Sequence, residues 1–379
     1  MINQIQEIVE TLPRLENVNG VWATAERRLA EGDAAFLADL GIALDRRYAP
    51  HPDMWQYRSV FDHLLRLLAT SPGRGNVEQA LRLVSGSGSR HRKLARYTAS
   101  LLASNQTPEA LTVVFAGGGS VAGAGEELRA CLVHEMALRG VAVEETPGIS
   151  GWATSPHWSR HPLGWLPLPL SPMEENPDLP SYSAGGSSYS IPYGPSQGPG
   201  TRPGSTGLPV PSAAETTTEP AVEAISAAVA NWAEESNGRF EARTFDLTEP
   251  LETGAVPALL MALGLACLDG SGRSGFSVWS CPPSHAWRVL FAAASTGGAY
   301  NSGCHGAYGR LAAWRSLAGL SGAPEGASAA EVERRVRECA WFGFDGATPW
   351  FDQVAWDIGL AALTPDGRHL AVLAATDTD

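Results

Sequence analysis

The sequence predicts an α+β protein in which an all-α domain of helical hairpins precedes an α+β domain with an antiparallel sheet. Apolar residues recur at helical spacing through residues 1–140, whereas helical and strand patterns alternate in the C-terminal part. A stretch rich in proline, glycine and serine separates the two parts. We therefore predict a helical domain over residues 1–150, a tryptophan-rich docking segment over 151–170, a disordered linker over 171–220 and an α+β domain over 221–379.

Short amphipathic helices follow one another through the N-terminal part. Ser71-Pro72-Gly73 ends one of them, and Thr107-Pro108-Glu109 gives another an N-cap residue followed by a proline at its first position. Short helices joined by turns predict a stack of helical hairpins. The predicted helices cover residues 59–70, 77–84, 92–103, 108 onward and 125–139.

The segment 151–170 holds Trp152, Trp158 and Trp165 among prolines and histidines. It is too apolar for a free linker, so we expect it to lie against a domain surface and bury its rings without regular structure. The alternative is a contact site for a peptide or protein partner, because aromatic residues are enriched at interfaces.

The linker 171–220 contains ten of the 27 prolines, seven glycines and nine serines, with six charged residues. Such a segment cannot bury enough apolar surface to offset the entropy lost on ordering. We therefore expect an extended, largely disordered tether between two bodies of similar size.

The C-terminal part mixes both kinds of secondary structure. Its clearest local pattern is Thr364-Pro365-Asp366-Gly367-Arg368, which places proline and glycine where a tight hairpin turn needs them. The strands that flank this turn should therefore pair antiparallel. The predicted helices cover residues 220–235, 256–267, 284–295, 308–320 and 329–339, and the predicted strands cover 240–247, 341–345, 354–363 and 369–375.

Charge and hydropathy argue against two classes of partner. The formal net charge of −13 is unfavourable for binding the phosphates of a nucleic acid. The longest apolar run, residues 256–268, contains Pro257 and Gly264 and is too short to cross a bilayer. We therefore predict no nucleic-acid partner and no membrane partner.

Cysteine usage and the N-terminus indicate the compartment. The five cysteines are odd in number and widely spaced, which is typical of reduced thiols and not of a disulfide framework. The first residues lack the basic region and apolar run of a secretory signal. These features predict a cytoplasmic protein.

A glycine-rich motif at Gly117-Gly118-Gly119 follows LTVVFA and precedes a predicted helix. Strand, glycine turn and helix, with Glu144 further on, imitate a dinucleotide-binding unit. The favoured interpretation is a loop between helices, because Thr107-Pro108-Glu109 starts a helix just before LTVVFA and no further βαβ unit follows. We predict no cofactor.

Two cysteine–histidine pairs, Cys281 with His285 and Cys304 with His305, lie in predicted loops or helix starts. They could form a tetrahedral zinc site, with Cys339 as a further ligand, although the spacing matches no familiar zinc module. Cys304 could alternatively be a nucleophile with His285 as its base. The favoured interpretation is buried thiols and capping groups, so no metal is predicted.

Three carboxylates, Asp345, Asp352 and Asp357, cluster around the predicted sheet with tryptophans interleaved. Paired acids beside aromatic rings could act on a sugar, one as the acid and one as the base or nucleophile. Turn formation alone also explains Asp345 and Asp352.

The residues after the linker resemble a family of uncharacterised actinobacterial proteins. The likeness lies in NWAEESNGRFEARTFDL, CHGAYGRLAAWRSLAGL and the C-terminal WFDQVAWDIGLAALTPDGRHLAVLAATDTD. It implies an intracellular bacterial protein whose second domain is a recurrent unit, and it carries over no catalytic residues.

Two functional hypotheses follow. The favoured one is a non-enzymatic interaction or assembly module that binds a protein partner or self-associates, since a helical stack offers an extended surface. The alternative is a small-molecule enzyme or hydrolase with its site around Cys304, His305, Asp345 and Asp352. Convergence of those side chains in one concave pocket would favour the enzyme.

Overall fold

The backbone divides into two compact units. Unit 1 comprises Met1–Gly164 with Pro180–Tyr189, and unit 2 comprises Trp165–Leu179 with Ser190–Asp379. The chain therefore enters unit 2, returns to unit 1 and enters unit 2 again. The computed structural model describes residues 2–51, 53–85, 91–116, 125–192, 208–270, 275–351 and 356–378.

Unit 1 is built from amphipathic helices that bury their apolar faces against one another. In the fourth helix Leu64, Leu65 and Leu68 are fully buried. Side-chain caps fix helix starts: Asp33 accepts a hydrogen bond from Phe36 N–H. The described helices are α1 (Ile2–Thr11), α2 (Asn19–Ala30), α3 (Ala34–Tyr48), α4 (Trp55–Thr70), α5 (Arg74–Ser85), α6 (His91–Asn105), α7 (Pro108–Phe115), α8 (Glu126–Leu138), α9 (Ser150–Ala153) and α10 (Pro156–Arg160).

The helical prediction for the N-terminal part is confirmed, because α4 to α8 cover the five predicted helices with small shifts of their ends. The motif LTVVFA was considered as the possible strand of a dinucleotide-binding unit. It lies largely within α7 and is not a strand. On the other side of the glycine-rich motif, Val143–Glu145 is a turn of 3-10 helix. The dinucleotide hypothesis is therefore wrong, and residues 117–124 themselves lie outside the described residues.

A small hairpin from the predicted linker belongs to unit 1. Its strands β1 (Ser181–Ser183) and β2 (Gly186–Ser188) pair antiparallel. Tyr182 holds the hairpin on the helices, since its ring meets the edge of Tyr97 and its hydroxyl lies 3.1 Å from Ser100 Oγ. Burial raises the pKa of Tyr182 to about 12. A hairpin this short is not stable alone, so these contacts explain its order.

The tryptophan-rich segment is shared between the units, which divide after Gly164. In unit 1 the rings of Trp152 and Trp158 meet edge to face, with centroids 5.7 Å apart. In unit 2 the Trp165 indole N–H donates to the carbonyl of Ala327 over 3.1 Å. Short helical turns carry these rings, where the sequence predicted irregular structure.

The prediction of a disordered linker is wrong for its described residues. Pro172–Glu174 forms a 3-10 turn with a capping box, in which Ser171 and Glu174 each accept a hydrogen bond from the backbone of the other end. The hairpin β1–β2 and a strand at residues 213–215 lie further along the same stretch. Residues 193–207 lie outside the described residues.

Unit 2 contains an antiparallel sheet, as predicted, with the strand order β3-β4-β8-β7-β6-β5 in the described residues. Gly367 takes a φ of +70° in the predicted turn between β7 and β8, where glycine is favoured. The strands β3 and β5 were not predicted. The strands are β3 (Ala213–Glu215), β4 (Arg239–Leu247), β5 (Phe276–Cys281), β6 (Ala340–Gly346), β7 (Trp356–Leu363) and β8 (His369–Asp377).

The helices of unit 2 cover both faces of this sheet. One face packs Phe342, Phe344 and Val372 against a short helix in a continuous apolar core. The other face carries Trp341, whose indole N–H donates to the carbonyl of Val336. The helices are α11 (Glu219–Ser226), α12 (Ala230–Glu235), α13 (Val256–Ala262), α14 (Pro283–Thr296), α15 (His305–Leu320) and α16 (Ala329–Glu338). In the described residues, no helix is both long and apolar enough to span a membrane.

A buried ion pair joins the segment 165–179 to α15 within unit 2. Glu174 and Arg310 are both 0% exposed, and the guanidinium donates to the two carboxylate oxygens over 2.6 and 2.7 Å. Trp314 donates its indole N–H to the same carboxylate over 2.7 Å, and Arg310 also donates to the carbonyl of Pro167 over 2.8 Å. This bonding compensates the cost of burying the charges.

Glu174→Ala is expected to lower the free energy of unfolding by about 3–5 kcal/mol, because it leaves the Arg310 guanidinium buried without its carboxylate. Urea titration followed by tryptophan fluorescence measures the change. Glu175→Ala is the matched control: Glu175 is exposed, and its loss should change the free energy by less than about 0.5 kcal/mol. Equal effects of the two substitutions would contradict a central role for the ion pair.

Candidate functional site

The structure separates Cys304 from His285. His285 lies in the first turn of α14, whereas Cys304 is the N-cap residue of α15 and donates its backbone N–H to Ala294 near the far end of α14. The rise of nine residue steps along the helix, from position 285 to position 294, is about 13 Å. His285 is therefore too far away to act as a base for Cys304, and that nucleophile hypothesis is wrong.

The proposed zinc ligands do not converge either. Cys281 ends β5, and only Pro282 separates it from α14. Cys281 and His285 therefore lie at the opposite end of α14 from Cys304 and His305. Within the described ranges, no group of three or more His, Cys, Asp or Glu side chains is placed to hold a metal ion. Burial also raises the pKa of Cys281 to about 12. The cysteines therefore fit the interpretation as buried structural thiols better than the interpretation as zinc ligands.

The carboxylates of the sheet lie on opposite faces. Asp357 pairs with Thr376 and shares its face of β7 with Ala361, which pairs with Phe342. Asp345 follows Phe344 on β6, and successive side chains of a strand point to opposite faces. Asp345 and Asp357 therefore cannot flank one sugar as an acid and a base. Asp352 lies outside the described residues.

The loop that joins α14 to α15 is held by hydrogen bonds to two buried or half-buried polar side chains, Asn301 and Asp377. It runs through residues 297–304, and Gly297 and Gly303 have φ values of +86° and +62°. Between them, the Asn301 side chain accepts from the N–H groups of Gly298 and Gly303, each over 3.1 Å, and donates to the carbonyl of Asn231 over 2.6 Å. One amide side chain thus fixes both halves of the loop.

The end of β8 fixes the loop from the other side. Asp377 is 1% exposed, and its Oδ2 accepts the N–H of Ala299 over 2.7 Å. Gly298 lies so close to this carboxylate that a Cβ there would overlap it. His305, which begins α15, has a φ of +61°, a strained value for a residue other than glycine. Such strain persists where surrounding contacts overdetermine the backbone.

This rigid loop displays Tyr300, which is 60% exposed. The Tyr300 N–H donates to Ser236 Oγ over 3.1 Å. We call Tyr300 and the loop of residues 297–304 that carries it the Tyr300 surface.

The sequence contained a weak indication of this site. Glycines at 297, 298 and 303 bracket Asn301, a composition typical of a turn whose backbone is held by an amide side chain. The adjacent Cys304 and His305 were expected as site residues from the sequence, whereas Tyr300 was not. The position of Tyr300 depends on contacts of its loop with Ser236 and Asp377, which are distant in sequence.

The chain belongs to a family described as a family of unknown function (DUF6183), whose model matches residues 19–379. The match covers almost the whole chain, so the family includes the helical part as well as the sheet-containing part. The expected membership of an uncharacterised family is thereby confirmed. No curated protein and no solved structure is significantly similar to the chain.

Asp377→Ala is expected to loosen the loop 297–304, because the Ala299 N–H loses its buried acceptor, at a cost of about 1–3 kcal/mol. Hydrogen–deuterium exchange of peptides from this loop should become about ten- to a hundredfold faster. Asp269→Ala is the control, since Asp269 is an exposed carboxylate of the same unit. Unchanged exchange in the Asp377 variant would show that the loop is held without this contact.

The cysteines should differ in reactivity. Burial raises the pKa of Cys339 to about 11 and that of Cys281 to about 12, so both are protonated thiols at pH 8. Cys304 is half-buried and should be alkylated first. A brief iodoacetamide pulse at pH 8 with peptide mass spectrometry tests this order, and protein unfolded in urea is the control in which the differences should disappear. Alkylation of Cys339 as fast as Cys304 would contradict it.

Proposed function

We propose that this protein is a non-enzymatic interaction module that binds a protein partner or a second copy of itself through the Tyr300 surface. The observation that carries the proposal is the display of an exposed tyrosine on a loop held by Asn301 and Asp377. Tyrosine is one of the residues enriched at the energetic centres of protein interfaces. Tyr300 is 60% exposed on this loop.

The rigidity of the loop favours binding. A flexible side chain or loop loses entropy when a partner immobilises it, at about 0.5–1.5 kcal/mol per side chain. Here the backbone on both sides of Tyr300 is already fixed by hydrogen bonds to Asn301 and Ser236. Most of the ordering cost is therefore met during folding.

The same geometry disfavours the competing hydrolase. Its candidate groups are divided between two ends of α14 and two faces of the sheet. A general acid–base pair needs hydrogen-bond reach to a shared substrate. No observation among the described residues supplies a second functional hypothesis of equal weight.

The setting we infer is the cytoplasm of a bacterium. The described structure contains five free cysteines, four of them buried, which supports a reducing compartment. The net charge of −13 supports a partner other than nucleic acid.

Tyr300→Ala should weaken the interaction by about 2 kcal/mol or more, or roughly thirtyfold, because truncation removes the exposed ring without disturbing its anchored backbone. Tyr189→Ala is the matched control, as Tyr189 is a similarly exposed tyrosine in unit 1. Sedimentation equilibrium measures self-association, and quantitative affinity purification from native lysate measures retention of a partner.

A dimer or partner that is lost from Tyr300→Ala and kept by Tyr189→Ala supports the proposal. A strictly monomeric protein that retains no partner contradicts it, as does a partner retained equally by both variants. Circular dichroism and melting temperature of each variant confirm that the fold is intact.

A further inference from the structure

Among the described strands, β3 forms an open edge of the sheet in unit 2. It lies at one end of the strand order, and its residues Ala213, Ala214 and Glu215 are exposed. At the other end, Phe276 and Val278 of β5 are 0% and 1% exposed. An open edge presents backbone groups that can pair with a further strand.

The bonds between β3 and β4 show which backbone groups face outward. Thr216 donates its N–H to the carbonyl of Thr244 over 2.9 Å. Backbone groups alternate in direction along a strand, so the N–H and carbonyl groups of Ala213 and Glu215 point away from β4. No residue in the part of the chain that the structure describes bonds to these outward groups. We call residues 212–216 the β3 edge.

The chain limits the length over which a further strand can pair. Before the β3 edge, Pro209 and Pro211 have no N–H to donate. After it, the Thr218 side chain accepts the N–H of Ala221 and begins α11. An added strand therefore pairs over about five residues, or about 17 Å.

A cavity of about 590 Å³ reaches the same edge. Thr216 of β3 and Thr244 of β4 line it, and Leu320, Pro365 and Ala371 give it apolar walls. Side chains alternate between the two faces of a sheet, so an added strand places every second side chain on the face that carries the cavity. The volume suits one large side chain. We call it the turn cavity.

A second copy of this chain fits the β3 edge but does not fill the turn cavity. In a symmetric antiparallel pair of β3 strands, the second copy presents Ser212, Ala214 and Thr216 on the cavity's face. These side chains are too short to occupy the cavity. An extended segment of another protein that carries a large apolar side chain can satisfy both the edge and the cavity.

We propose that the β3 edge binds an extended segment of another protein as an added antiparallel strand, with one large apolar side chain in the turn cavity. The segment pairs with the outward groups of Ala213 and Glu215, and the cavity selects the side chain. Antiparallel pairing continues the pattern of the described sheet. The site is independent of the Tyr300 surface.

This geometry specifies which backbone groups of the bound segment matter. The residue that enters the turn cavity lies opposite Ala214 or Thr216, whose backbone groups face β4. In an antiparallel pair its own N–H therefore points away from β3. The N–H groups of its two neighbours in the segment point towards β3 and form the new hydrogen bonds.

Fluorescence anisotropy of fluorescein-labelled heptapeptides with the full-length protein tests the proposal. The peptides share the sequence Thr-Thr-Thr-X-Thr-Thr-Thr, in which X is leucine, phenylalanine, tryptophan or alanine. At least one peptide with a large X should bind saturably, and alanine at X should weaken that binding about tenfold or more. N-methylation of the two threonines beside X should abolish binding, whereas N-methylation of X itself should change it less than about twofold.

Ala213→Pro should weaken binding of the same peptide about tenfold or more, because proline removes an outward N–H and places its ring at the edge. That N–H makes no bond within the fold, and edge strands tolerate proline at such positions. Ala213→Val keeps the N–H and should leave the affinity unchanged, as should Tyr300→Ala. Circular dichroism and melting temperature show whether each variant is folded.

The proposal is overturned if no peptide with a large X binds saturably, if Ala213→Pro binds as well as the wild type, or if the two N-methylated forms behave alike. Sedimentation equilibrium tests the other occupant. A wild-type dimer that Ala213→Pro dissociates and Ala213→Val retains would identify a second copy on the β3 edge, and would also overturn the proposal.

Discussion

Glu174 and Arg310 lie 136 residues apart in the chain, and their buried ion pair holds the proline-rich segment 165–179 on α15. Prolines lack an N–H, so this segment offers carbonyl acceptors and few donors of its own. The guanidinium supplies donors to the carboxylate and to the carbonyl of Pro167. A buried charge pair would be unfavourable by itself. It becomes favourable here because the guanidinium also donates hydrogen bonds to backbone carbonyls that no strand or helix satisfies.

Close approach of α14 and α15 is the second constraint, and it follows from small residues. A Cβ at Gly309 would overlap Ser295, so glycine permits the two helices to pack closely at this point. The loop between them must then reverse within a few residues, which requires the positive φ of Gly297 and Gly303. The strain at His305 is compensated by bonds from Asn301 and Asp377 to the loop that precedes it. The rigidity of the loop 297–304 is therefore a consequence of the close packing of α14 and α15.

The Tyr300 surface offers an exposed tyrosine on a fixed backbone, which suits a protein partner. The family model matches residues 19–379, so the match extends over both the helical part and the sheet-containing part.

Local pattern in the sequence determined the helices from α4 to α8, the hairpin of β7 and β8 and the α+β class, because periodicity and turn chemistry act between residues close in the chain. The composition of residues 181–188 predicted disorder. Their order depends on the contact of Tyr182 with Ser100, which is distant in sequence, so no local pattern indicates it. Residue type also failed to locate a site: Cys304 and His285 are chemically suited to each other, but α14 holds them apart. Tertiary structure decided which polar groups meet, because those contacts join residues that are distant in sequence.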